Sequence, residues 1–280
     1  MTTRVVVTGA SGRLGRAVVA ELQLPAQFEV TGFVSPRVFS GVGEVAVALS
    51  SAAGIKQAMD AARPDVVVHL GGRVPTWTTA TPDFMVNLSS TTAIVEATAA
   101  WAPRLILAST AAVYGDQGAD SFHEDDRITP DSDYARSKYA AEQALLASRA
   151  ETVSLRIFNV FGPGFDDSIV AKLAAATDDR PAQLRGWRGF QRDYIHVSDV
   201  AAAVRLAVVA ELPTRHVTLN IGSGVATSNS ELVTAMSVGQ SLHYVVVDWP
   251  PSRSVADVTA ARTVLGFSAT VRPGGAPTPD

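Results

Sequence analysis

Short runs of aliphatic and β-branched residues alternate along this chain with longer alanine-rich stretches in which apolar positions recur every three or four residues. The runs at 4–8, 28–34, 65–70, 104–108 and 152–157 are nearly continuous in apolar residues, the pattern of strands covered on both faces and therefore of a parallel sheet. Helices are predicted between them, at 14–23 before Pro25, at 54–62 before Pro64, at 83–100 and at 132–150. This β-α alternation predicts an α/β fold, a doubly wound parallel sheet with right-handed crossovers.

After Asn159 the pattern loosens. Loops rich in Gly, Pro and Arg at 162–167 and 181–192 are interleaved with predicted helices at 198–211 and 228–238. The expected organisation is a larger domain over 1–160 to which 190–222 returns, a smaller interleaved C-terminal lobe from 161–189 and 223–270, and a flexible tail over 271–280. No internal repeat is visible.

Composition narrows the function. With 280 residues, 47% of them hydrophobic, the chain can bury a large core unaided. A formal charge of -4 and a pI of about 5.7, with no block of like charges, argue against nucleic acid as a partner. The absence of cysteine excludes disulfides, a thiolate nucleophile and the usual structural zinc sites. His69, His123, His196, His216 and His243 are scattered without ligand spacing, so no metal centre is expected. The N-terminus enters a strand at once, and no run of about 18 apolar residues could span a bilayer. The expectation is a cytoplasmic protein with no membrane association.

Two motifs carry chemistry. Residues 5–15 read VVVTGASGRLG, a strand, a turn with Gly9, Gly12 and Gly15, and a helix start. Glycines there let backbone amides at a helix N-terminus approach a pyrophosphate, as in a Rossmann-type dinucleotide site, although the spacing is GxxGxxG rather than GxGxxG. After the second strand the sequence GFVSPR has Val34 where an acid would hold the ribose hydroxyls of NAD, followed by Ser35 and Arg37. Those residues, with Arg13 in the glycine loop, favour NADP(H), and NAD(H) stays possible. The second motif is DYARSKY at 133–139. Lys56, Lys138 and Lys172 are the only lysines among 23 basic residues, and Lys138 falls four positions after Tyr134, on the same helix face.

These residues, in order, resemble an extended short-chain dehydrogenase/reductase of the NAD-dependent epimerase/dehydratase family. The likeness covers roughly 4–266 and rests on TGASGRLG (8–15), DVVVHLGG (65–72), STAAVYG (109–115), YARSK (134–138), RIFNVFGPG (156–164), RDYIHVSDVA (192–201), NIGSG (220–224) and LGF (265–267). It implies a catalytic set of Thr110, Tyr134 and Lys138. It places Gly9, Ser11, Gly12, Arg13, Leu14, Gly15, Ser35, Arg37, Leu70 and Asn87 around the dinucleotide, together with Tyr134 and Lys138. Asn159, Arg192 and Arg253 are implied to hold the diphosphate of a nucleotide-sugar substrate. An ammonium about 5 Å from a phenol, at an effective dielectric near 20, lowers the phenol's pKa from about 10 by roughly two units. Tyr134 is thereby expected to exchange a proton with the substrate oxygen while the nicotinamide exchanges a hydride with its carbon.

Ala111 and Ala112 follow Thr110 where dehydratases of this family carry an acidic pair, which disfavours sugar dehydration. A 4-ketoreductase and a 4-epimerase both remain. The missing acid at Val34 tilts the expectation toward NADPH-dependent reduction of a 4-keto sugar, with an epimerase holding NAD as the alternative and a non-catalytic dinucleotide sensor as the rival class. Relatives often form homodimers through two helices per subunit, here those at 83–100 and 132–150, so a homodimer is expected.

Overall fold

The computed structural model describes residues 2–24, 27–38, 43–75, 83–115 and 121–275. The N-terminal part builds β1 (Thr3–Thr8), α1 (Arg13–Gln23), β2 (Phe28–Val34), β3 (Glu44–Ala46), α2 (Ala52–Ala62), β4 (Val66–His69), α3 (Met85–Thr98), β5 (Arg104–Thr110), α4 (Asp133–Leu146) and β6 (Thr152–Ile157). The C-terminal part adds β7 (Asn159–Phe161), α5 (Ile169–Ala174), β8 (Ala182–Arg185), β9 (Phe190–Arg192), β10 (Tyr194–His196), α6 (Val197–Val209), β11 (His216–Ile221), β12 (Thr227–Ser228), α7 (Asn229–Met236), β13 (Tyr244–Val247), β14 (Ser252–Ser254) and α8 (Thr259–Leu265).

The main sheet has seven parallel strands in the order β11-β6-β5-β4-β1-β2-β3. Its apolar runs are continuous because successive side chains serve opposite faces. Val5, Val7, Val66, Val68, Ile106 and Leu155 pack with α1, α6 and α8 in one core, while Val6, Val67, Leu105 and Leu107 pack with α2, α3 and α4 in the other. Strand β11, which the hydrophobic pattern did not predict, completes the sheet beside β6.

A smaller lobe is assembled from pairs distant in sequence. β8 pairs with β13, and β9 is flanked by β12 and β14. Phe161, Leu173, Leu184, Tyr194, Leu232 and Met236 form its core.

Two expectations change. The helix at 132–150 stops at Leu146, because Ser148 Oγ accepts the Ala150 amide at 3.0 Å and turns the chain into β6. The stretch beginning the expected tail is docked: Asp199 accepts the amides of Thr270 and Val271 at 3.1 and 3.0 Å, Arg272 donates to Ser223 Oγ at 3.0 Å, and Pro273 is buried. Residues 276–280 lie outside the described residues.

Candidate active site

From β1 the sheet grows one way through β2 to β3, and then the chain crosses to place β4 on the other side of β1. Such a reversal opens a crevice beyond the carboxyl ends of the two central strands, where ligands of doubly wound folds bind. A cleft of about 1570 Å³ lies there. Pockets for one small ligand are about 300–1,000 Å³, so this one has room for two. Gly12 and Leu14 line it after β1, Leu70 and Gly72 after β4, Ala108, Ser109 and Thr110 at the end of β5, Ile157 to Asn159 after β6, and Tyr134 and Lys138 from α4.

The glycine loop is shaped to take a backbone-held ligand. Gly9 has φ +69, and a Cβ on it would fall 2.7 Å from Gly71 Cα; one on Gly15 would fall 2.1 Å from Gly9 O. These two glycines pack the turn against its neighbours, and neither they nor Ser11 lines the cleft. Gly12 is the N-cap of α1 and makes no side-chain cap, so the first amides of the helix are directed at the crevice unshielded. A dinucleotide's pyrophosphate fits this cradle.

Tyr134 and Lys138 share the cleft-facing side of α4, which Ser132 caps by accepting the Ala135 amide at 3.2 Å. Thr110 ends β5, accepts the Ala112 amide at 3.2 Å through Oγ1, and is hydrogen-bonded to the Tyr134 side chain. All three predicted catalytic residues therefore meet. Their electrostatics differ from expectation. Burial pushes the Tyr134 phenol above its ordinary value, with the Thr110 hydrogen bond opposing. Lys138 Nζ donates to Ala108 O at 2.6 Å, and burial pushes its ammonium down to about 8, with Glu142 opposing. The predicted depression by the lysine is not seen: desolvation of the buried phenolate is the largest influence on Tyr134, and Lys138 is not among the groups that shift it.

Behind the lysine, His69 is fully enclosed. Ser90 gives its one hydroxyl proton to Val86 O at 2.6 Å, so the 3.2 Å contact with His69 must be donated by the ring's Nε2. Nδ1 is then the acceptor of the Thr8 hydroxyl at 2.7 Å, and Thr8 Oγ1 in turn accepts the Gly71 amide at 3.2 Å. Burial and the charge of Lys138 drive this imidazole down to about 3, which keeps it neutral. The chain fixes the backbone of both crevice loops.

Asn87, expected on the cofactor, is 2% exposed and spends its amide on Arg73 N, Arg73 O and Ser137 Oγ at 2.6, 3.0 and 3.0 Å. It ties the 71–73 loop to α4 and does not line the cleft. A second buried network went unpredicted. Ser109 donates to Glu142, whose carboxylate accepts from Arg156 Nη2 at 2.9 Å; Arg156 Nη1 reaches Tyr114 Oη at 3.0 Å, and that hydroxyl donates to Asn220 at 2.7 Å. The signal was Glu142, one turn beyond Lys138 on the inward face of its helix.

The residues proposed to select the cofactor behave differently from one another. Val34 is 1% exposed, packs in the core and does not line the cleft. Ser35 Oγ accepts the Arg37 amide at 3.4 Å, both residues are exposed, and neither lines the cleft. Arg13 does line it, but its guanidinium pairs with Asp167 and lies 4.7 Å over the Phe165 ring. Of the two arginines proposed for a 2′-phosphate, only Arg13 lines the cleft, and it is ion-paired.

On the lobe side Asn159 lines the cleft and donates to Asp193 O at 2.9 Å. Arg192 also lines it, stacked 3.7 Å over Phe190 and held by Ser252 Oγ at 2.9 Å. Arg253 donates to Gln191 and is not part of the lining. Lys172, Arg180 and Arg185 line the cleft unpredicted, because only the pairing of β8 with β13 and the turn after α5 bring them there. This cationic wall suits an anionic diphosphate. Among the described residues no group of three or more His, Cys, Asp or Glu could hold a metal ion, and no helix is long and apolar enough to cross a membrane.

Comparison with known proteins matches residues 5–222 to the profile of the NAD dependent epimerase/dehydratase family. The chain is 30% identical over 225 residues to the UDP-glucose 4-epimerase of Mycolicibacterium smegmatis, covering 73% of this chain and 71% of that one. It is 32% identical over 184 residues to a probable UDP-glucuronate 4-epimerase of Rhizobium meliloti, where the match spans 61% of this chain and about half, 53%, of the relative. Among solved structures, MoeE5 in complex with UDP-glucuronic acid and NAD superposes with a TM-score of 0.81 at 30% identity, covering 96% of this chain and 94% of that chain. The Thermus thermophilus UDP-glucose 4-epimerase complex with NAD gives 0.81 at 28% identity, with 96% and 94% covered.

Proposed function

The chain belongs to the NAD-dependent epimerase/dehydratase family, and we propose that within it this protein is a nucleotide-sugar 4-epimerase that works with NAD. The observation that carries the reading is the meeting of Thr110, Tyr134 and Lys138 at one end of a two-ligand cleft, with a cationic wall at the other. The amides of Gly12 to Leu14 would hold the pyrophosphate of NAD, and Leu70, Tyr134 and Lys138 would border its nicotinamide half. NAD, when bound, supplies a reversible hydride acceptor. Tyr134 would act as the phenolate, which the positive charge of oxidised NAD would favour against the burial that raises the phenol. It takes the proton of the sugar 4-hydroxyl and returns it, Thr110 holds the same oxygen, and Lys138 supplies a positive charge on the same helix face. Asn159 and Arg192 hold the substrate's diphosphate.

The reading the sequence favours, an NADPH-dependent 4-ketoreductase, draws on Val34, Arg37 and Arg13. Its support weakens: the first is buried, the second lies outside the cleft and the third is committed to Asp167. Similar solved structures are complexes with NAD, which favours the epimerase. The test is incubation of the protein and NAD with UDP-glucose or UDP-glucuronic acid, following the C4 epimer by chromatography. Inversion without net change in NADH absorbance is expected; consumption of NADPH by a nucleotide 4-keto sugar, with no inversion, would replace this reading with the reductase.

A further inference from the structure

The first helical residue after the glycine loop and the loop at 162–168 belong to opposite walls of the cleft and are 154 positions apart in sequence, yet they touch. Arg13 opens α1 immediately after its N-cap, and its guanidinium is both ion-paired with Asp167 and stacked 4.7 Å over the Phe165 ring. The opposite side is held in place by its own backbone. Gly162 O accepts the Phe165 amide at 3.0 Å, Phe165 O accepts the Ser168 amide at 3.0 Å, and Ser168 then caps α5. A Cβ on Gly164 would sit 3.9 Å from the Arg13 side chain, so the loop lies against it along its length. Arg13, Phe165 and Asp167 all line the cleft.

We infer that Arg13, Phe165 and Asp167 form a clasp across the dinucleotide cleft that sets how slowly bound NAD leaves. The inference rests on the proposed reading only in taking the occupant to be a dinucleotide. On this inference a pyrophosphate seated on the amides of α1's first turn would lie beside the clasp, and its departure would require the two walls to part. The clasp is suited to opening. The Arg13 and Asp167 side chains remain 35% and 40% exposed, so water and salt reach the pair and compete with it. An enzyme that oxidises and re-reduces one substrate molecule gains from a cofactor that stays through both steps, and a latch at the phosphate end supplies that without touching the reacting atoms.

A plain phosphate contact makes the opposite prediction for Asp167. If Arg13 served only the pyrophosphate, removing its carboxylate partner would free the guanidinium and slow release. The experiment loads wild type, Asp167→Asn and Phe165→Leu with radiolabelled NAD, then follows loss of label into excess unlabelled NAD at low and high salt. Release from Asp167→Asn is expected to be about five- to twentyfold faster than from wild type, an effect of the size of one partly exposed ion pair plus loss of orientation over a ring. Phe165→Leu should accelerate release less, and salt should speed release from wild type but not from Asp167→Asn. Unchanged or slower release from Asp167→Asn overturns the clasp while leaving the epimerase reading intact. A wild-type chain that binds no NAD at all overturns both.

Discussion

The sheet domain and the lobe are held together differently. In the sheet domain, strands of three to seven residues form one continuous parallel ladder, and the proposed catalytic groups leave from a strand end and one face of a helix packed on it. In the lobe, strands of two to four residues pair across tens of positions, as Ser252–Ser254 beside Phe190–Arg192 and Tyr244–Val247 beside Ala182–Arg185. A long buried strand fixes its neighbours to within a fraction of an ångström, which proton and hydride transfer demand. A lobe of short strands tolerates substitution in its loops, and recognition of different sugars can vary there. On the proposed reading, the chemistry falls on the wall built from long strands and substrate selection on the wall built from short ones.

Four changes would break or sharpen that contrast. The largest effect is expected from Tyr134→Phe, which removes the proton-transfer group and should lower kcat by about 10²–10⁴-fold. Thermal melting should not move, because the phenyl ring keeps the contact with Phe84 at 5.6 Å. A small kcat change would place the chemistry elsewhere. Next, Glu142→Leu strands Arg156, whose side chain is only 6% exposed, and should cost about 3–5 kcal/mol in urea unfolding. Pairing it with Arg156→Met should recover much of the loss, since the cost lies in the unpaired charge.

In the lobe, Arg192→Ala should raise the substrate KM about tenfold, the value of a charge-assisted contact, while leaving NAD release unchanged. Equal effects on both would erase the proposed separation of the two walls. The smallest effect concerns pH. The Lys138 ammonium, ordinarily near 10.5, is pushed down to about 8 by burial, so the unfolded chain binds more protons between those values. Stability should therefore rise with pH across that window in wild type, and Lys138→Met should lose that increment when the two are compared by urea denaturation at pH 8 and 10. Activity should fall above about pH 8 as the ammonium is lost.

The amino-acid sequence by itself determined the parallel sheet, because strands buried on both faces must be continuously apolar. It also determined the placement of Tyr134 and Lys138 one turn apart, and the glycine turn whose Cβ-free positions Gly9 and Gly15 no other residue fits. These are short-range consequences of helix pitch, strand alternation and steric exclusion. Tertiary structure alone decided that Arg13 would face Asp167 rather than a 2′-phosphate, that Asn87 would spend its amide on a loop, that Lys172, Arg180 and Arg185 would reach the cleft, and that burial would raise the Tyr134 phenol. Each depends on partners separated by tens to more than a hundred positions and on the water excluded between them. Desolvation and long-range pairing have no period along a chain, and they become definite only when the walls of the cleft close on one another.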